Sequence, residues 1–353
     1  MFRGLKKAFI LTTLLLLLLA ACSSKETSKD DQSAKSDLLE VSIDHARYVW
    51  TEGDGDYDKD VKEGTLEVTL SIKNISKSAV MVSPHDGIFL YDGDEQLNPV
   101  DAFGYDVGIE GNSSGDVNPG KSTKMKFYFP VERGKEYKLA IKPFTKNLEE
   151  EPDEIVLTLD TQKYDKSFEK MEEPLMALSA IIDTVFLGKE NENYESLVGM
   201  EKEDILKDAK DAFEDKVNPK RYGNKIDADI DELQQQYISV LEEKADYKVN
   251  LKEFGGNKAL VSIDYETVPL NNLYSEIIDY SDKYKEETGK ADLDESMQYA
   301  FANMGEIFDS ISVKSGMDIT VTLTKKDGKW SIDKSDKYKY EQFISVFAAG
   351  EVW

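Results

Sequence analysis

Leu66-Glu67-Val68-Thr69-Leu70-Ser71-Ile72-Lys73-Asn74 alternates apolar and polar residues without a break. Successive side chains of a strand point to opposite faces, so the stretch reads as a half-buried strand with Leu66, Val68, Leu70 and Ile72 inward. The same period of two recurs on either side of it. Leu39, Val41 and Ile43 come before; Met125, Phe127 and Phe129, then Tyr137, Leu139 and Ile141, then Ile155, Leu157 and Leu159 come after. Turn chemistry separates these runs at Asp92-Gly93, from Gly111 to Gly115, and at Pro119-Gly120. Many short strands without a helical window between them predict an all-β, two-sheet sandwich over residues 38–161.

Downstream the period changes. After a linker at 162–173, Leu175, Leu178, Ile181, Ile182, Val185 and Phe186 follow helical spacing, with Pro174 suited to the first turn and Gly188 to the end. Further helices are expected through Ile205–Phe213, stopping at Asn218-Pro219, and through Ile226, Ile230, Leu233, Tyr237 and Val240. Strands return at Tyr247, Val249 and Leu251 and at Leu260 to Tyr265, joined by Gly255-Gly256. Two helical stripes follow, then a strand at Met317 to Leu323 whose Asp327-Gly328 turn leads to Trp330 and Ile332; Phe343, Ile344 and Phe347 mark a closing helix. Residues 174–353 therefore form an α+β domain, and the chain is multidomain.

Upstream, Arg3, Lys6 and Lys7 precede an apolar run that ends at Leu19-Ala20-Ala21-Cys22, the only cysteine. The run is too short and too abruptly followed by polar sequence for a spanning helix, and its order of basic, apolar and small residues is that of a signal peptide. Leu-Ala-Ala-Cys resembles the bacterial lipobox. The resemblance implies a signal at 1–21 and a diacylglycerol-bearing, palmitoylated Cys22 at the mature N-terminus. Ser23 to Asp37 contains nothing apolar larger than alanine, so 22–37 is expected to be the lipidated cysteine and a disordered tether.

Two larger resemblances rest on specific residues. Leu66 to Ala79, Phe89 to Gln96, and Val117-Asn118-Pro119-Gly120-Lys121 before a Phe-Tyr-Phe strand are similar to an immunoglobulin-like domain of unknown function found in Gram-positive lipoproteins. The late Lys-Lys-Asp-Gly-Lys-Trp-Ser-Ile-Asp hairpin in a helix-first domain resembles the cone-shaped nuclear-transport-factor-like fold. The pairing of the two halves, with Ala180 to Gly188 in the first helix, resembles a Gram-positive lipoprotein family of unknown function. No catalytic residue is implied.

Composition narrows the chemistry. A formal net charge of −26 repels nucleic acid and anionic headgroups, while 40% hydrophobic residues suffice for real cores. With Cys22 lipidated no thiol remains for disulfides, thiolate metal sites or a cysteine nucleophile. No cofactor is implied, with one reservation. Asp54, Asp56, Asp58 and Asp60 alternate on a glycine-containing loop, an arrangement of oxygens that would suit calcium. The loop departs from an EF-hand, because the position needing glycine holds Lys59 and the twelfth holds Thr65. His45 and His85 have no helical metal-ligand spacing, and no nucleophile–base constellation stands out. Among the many aromatics of the second half, Tyr280 and Tyr284 fit the apolar stripe least and are the expected contact residues.

These observations predict a non-catalytic, extracytoplasmic lipoprotein held at the cell membrane, binding or assembling with an envelope protein, peptide or polymer. A solute-binding component of a transporter and an envelope hydrolase with paired carboxylates are the alternatives.

Overall fold

The computed structural model describes residues 32–145, 152–222 and 226–352. Leu19, Ala20, Ala21 and Cys22 lie outside the described residues. Strands Ser33–Lys35, Leu39–Val49, Glu63–Asn74 and Ser122–Glu132 form one antiparallel sheet. Ile155–Asp160, Glu136–Ile141, Ile88–Asp92 and Glu95–Leu97 form the sheet that faces it. A smaller sheet of Phe144–Thr145, Val80–Val82 and Gly115–Val117 lies beside them. The inward residues read from the alternation are all buried, and across the first sheet Phe127 pairs with Val68 and Phe129 with Leu66. The Lys-Asn-x-Ser signature has a physical basis. Buried Asn74 donates through Nδ2 to the carbonyls of Ser78 (2.8 Å) and Val117 (2.7 Å) and accepts from Ser76, closing the loop that follows the strand.

Two boundaries move. The end of the expected tether is structured, because Ser33–Lys35 adds an edge strand to Leu39–Val49, and Ile43 N donates to Gln32 O at 2.9 Å. The alternation of so short and polar a run carries no burial signal. The expected linker is also structured: a short helix, Asp165–Glu169, places Phe168 and nearby Met171 in the core.

The second domain is a sheet of Asp246–Phe254, Lys258–Thr267, Ile319–Lys326 and Lys329–Ile332, with Lys314–Ser315 paired to Lys258–Thr267. Glu173–Ile181 and Lys337–Ala349 pack on it, and Lys202–Val217 packs on the latter. Helices Ile230–Lys244, Leu273–Thr288, Leu293–Ala302 and Met304–Ser310 complete the α layer. The helix expected from Ile226 starts at Ile230, because Asp229 caps it, accepting from Asp231 N at 2.8 Å. The hairpin at Asp327-Gly328 has both residues at positive φ (52° and 86°), the two-residue turn that matches strand twist. Among the described residues no helix is long and apolar enough to cross a membrane.

The two domains are joined by more than a covalent link. Trp50, just past the end of Leu39–Val49, and Phe254, the end of Asp246–Phe254, exchange backbone hydrogen bonds of 3.0 and 2.8 Å. Phe168 packs edge-on to Tyr48 (5.4 Å) and Trp50 (6.4 Å), with the Arg133 guanidinium 4.1 Å above its ring. Ser167 Oγ accepts from Tyr48 N at 2.9 Å. Gly255 makes the closest approach, since a Cβ there would collide with the Val107 carbonyl of the first domain. A continuous buried core runs through both domains.

Candidate functional site: the cleft between the domains

Beside this seam lies a cleft of about 580 Å³ built from four separate parts of the chain. Strand Leu39–Val49 supplies His45 and Arg47, which a β-bulge between Ile43 and His45 puts on the face opposite the buried Ala46 and Tyr48, reversing the phase set by Leu39, Val41 and Ile43. The end of the short helix supplies Ser167 and Lys170. The turn after Phe254 supplies Gly256 and Asn257, and the last hairpin supplies Lys325, Asp327 and Gly328.

Its donor side chains are fixed to different degrees. Glu67, on the neighbouring strand and only 2% exposed, accepts from Arg47 Nη2 at 3.2 Å and lies 3.2 Å from Nε. The guanidinium is thereby laid across Gly256, where a Cβ would collide with Nη1. Lys325 pairs with Glu173, whose carboxylate also accepts from Trp330 Nε1 at 3.2 Å. Lys170 and His45 are exposed, and their side chains have no hydrogen bond or ion pair among the described residues. The Tyr48 hydroxyl lies among Thr161, Asp165, Arg133 and Tyr137, none of which lines the cleft, and burial pushes it up to about 12, so it stays neutral. A second cavity of about 340 Å³, edged by Asn271, Asn272, Glu276, Ser310 and Lys314, carries one cation and one carboxylate.

The residues singled out in the sequence fall elsewhere. Asp54, Asp56, Asp58 and Asp60 do not converge: among the described residues no group of three or more His, Cys, Asp or Glu side chains is arranged to hold a metal ion. This geometry lends the calcium expectation no support, and the reason is local. Asp54 Oδ2 accepts from Thr51 N (2.8 Å) and Thr51 Oγ1 (2.9 Å), and Oδ1 accepts from Thr65 Oγ1 (2.6 Å), so the carboxylate pins the loop to the sandwich. Asp58 accepts from Asp60 N at 2.9 Å, Asp56 is exposed, and Tyr57 packs on Trp50 at 5.4 Å. The loop therefore caps the seam.

Tyr280 and Tyr284 are half-buried rather than free. Both stack on Tyr299, at 5.8 and 4.4 Å, and donate to Glu306 (2.7 Å) and Glu295 (3.0 Å), tying helix Leu273–Thr288 to its neighbours. The Glu306 contact raises the Tyr280 hydroxyl well above the ordinary tyrosine range. His85 is a surface residue. One carboxylate pair does meet. Burial and the neighbouring Asp264 raise Asp318, but neither residue lines the cleft.

The domain of unknown function DUF5105 matches residues 164–348, over half of the chain. The chain belongs to that family. Residues 28–149 match a second domain of unknown function, DUF4352, so both halves seen in the fold fall under known family models. The uncharacterized lipoprotein YcdA of Bacillus subtilis is 25% identical over 329 residues, 90% of each chain. The crystal structure of that lipoprotein superposes with a TM-score of 0.67 at 22% identity, covering 90% of this chain and 99% of the other. The likeness shows a common two-domain fold, a β-sandwich followed by a helical-plus-β domain. A Bacillus subtilis yjhA protein matches 36% of the chain at a TM-score of 0.28 and carries no weight.

Proposed function

We propose that the chain is a lipid-anchored, extracytoplasmic binding protein without a catalytic centre, and that it takes its ligand in the cleft between its two domains. The observation that carries this reading is the cleft itself. Its roughly 580 Å³ falls in the ~300–1,000 Å³ range of small-ligand and side-chain seats. Its walls come from both domains, and they present exposed Lys170 and His45 side chains that no side chain among the described residues engages. The Leu19-Ala20-Ala21-Cys22 lipobox and the lipoprotein relative support the anchor, with the diacylglyceryl group on Cys22 holding the body at the cell membrane.

The test is site-specific photo-cross-linking in intact cells from position 257, at the cleft, and from position 286, on the Leu273–Thr288 helix that supplies nothing to it. A discrete product from 257 that is absent from 286 supports the cleft. Equal labelling from both, or none from either with a demonstrably reactive probe, removes it.

A further inference from the structure

We infer that the interdomain cleft is a seat for a phosphate group; this rests on the proposal that the cleft binds a ligand, and names the chemistry. The chain carries a formal net charge of −26, yet the cleft lining sets Arg47, Lys170 and Lys325, with His45 beside them, against the single carboxylate of Asp327. Glu67 and Glu173 behind Arg47 and Lys325, with Asp327, bring this local set close to balance and leave Lys170 as its unpaired cation, so in an acidic protein the hollow is far less negative than its surroundings. At physiological ionic strength charges beyond about 8 Å are largely screened, so the local set decides what enters.

The two kinds of donor divide the work. Arg47 and Lys325 have carboxylates behind them, Glu67 and Glu173, which hold their side chains in place and lower the cost of bringing positive groups together. Lys170 and His45 have no such partner and remain available to a ligand. The Nη1 edge of Arg47 and the Asn257 amide add neutral and charged N–H donors from two further directions. Donors arriving from a strand, a helix end and two turns suit a tetrahedral oxyanion, which accepts along several axes, better than a planar one.

Two sources of phosphate fit this chemistry: a small soluble phosphate compound, or the headgroup of a lipid. The second is within reach, because Gln32, which bonds to Ile43 two positions from His45, is only 10 residues along the sequence from Cys22.

The experiment is calorimetric titration of the full lipoprotein in detergent with inorganic phosphate and, separately, with glycerophosphoglycerol, both at ionic strength matched with chloride. Saturable binding of either probe, weakened at least tenfold in the double variant His45→Gln, Lys170→Gln, is the expected result. Tighter binding of glycerophosphoglycerol assigns the lipid headgroup, and tighter binding of inorganic phosphate assigns a soluble compound. Both substituted side chains are exposed, so the variant should melt as the parent does. No saturable binding of either probe, or binding unchanged in the double variant, overturns the assignment; a 257-specific cross-link in cells would then leave the cleft a binding site for another chemistry.

Discussion

Asp54 shows how a residue that reads as a metal ligand is used as a structural acceptor. Its two oxygens take three hydrogen bonds from Thr51 and Thr65. Asp54→Ala leaves those donors without it and should lower unfolding stability by about 2 kcal/mol, and neither the parent nor the variant should melt differently with calcium or with EDTA. Scanning calorimetry checks both statements. Glu253 is a second informative carboxylate. Its Oε2 is buried with no hydrogen-bond partner among the described residues, and burial, then Asp106 and Glu52, raise its carboxyl above the usual range, with Lys339 opposing. A raised folded-state value means that the contribution to stability is full below the unfolded value of about 4.3 and is lost as pH rises through the folded one. Glu253→Gln should therefore raise the melting temperature at pH 7, and the gain should shrink to nothing near pH 4. A gain that persisted at pH 4 would show the effect was not ionisation. At this scale the sequence was a good guide to what is inside: Leu66, Val68, Leu70 and Ile72 are fully buried. It was a poor guide to what the polar residues do, because charge density on a loop does not disclose which carboxylate turns back to the chain.

The element with the greatest influence for its length is the helix Asp165–Glu169, in a segment that reads as a connector. Five residues are too few to reveal an apolar stripe, yet Phe168 fills the space between Tyr48, Trp50 and Tyr57 and lies beneath Arg133. Phe168→Ala should cost ~3–5 kcal/mol, more than a surface substitution in either domain, and should raise proteolytic cleavage near the seam. An effect below 1 kcal/mol, measured by urea unfolding, would mean that the ring is replaceable. The tyrosine stack is the opposite case. Tyr280 and Tyr284 depart from the apolar stripe because they serve the neighbouring helices through Tyr299, Glu306 and Glu295, so an irregular stripe marked a helix–helix contact. The longer elements were legible because period and punctuation agreed: alternation with Asp-Gly and Pro-Gly turns in the sandwich, and helical spacing ended by Asn218-Pro219 and Gly188 in the second domain.

For the whole molecule, the order of domains was readable and their relation was not. Arg47, Lys170, Asn257 and Lys325 are scattered through the sequence, and no local pattern connects them. They meet because Trp50 and Phe254 join the two domains by a backbone bridge and Gly255 lets Val107 approach closely. The central claim is that these contacts make the domains one body, with the cleft preformed before any ligand arrives. Because Cys22 is the only cysteine and the proposed lipid would block its thiol, a pair of spin labels can be placed unambiguously, at Lys77→Cys on the sandwich and Glu287→Cys on the second domain, both exposed. The distance distribution between them, measured by double electron–electron resonance, should be a single narrow peak that does not shift when ligand is added. A broad or two-peaked distribution would contradict the account, since the cleft would then be only one of several relations between domains that move independently.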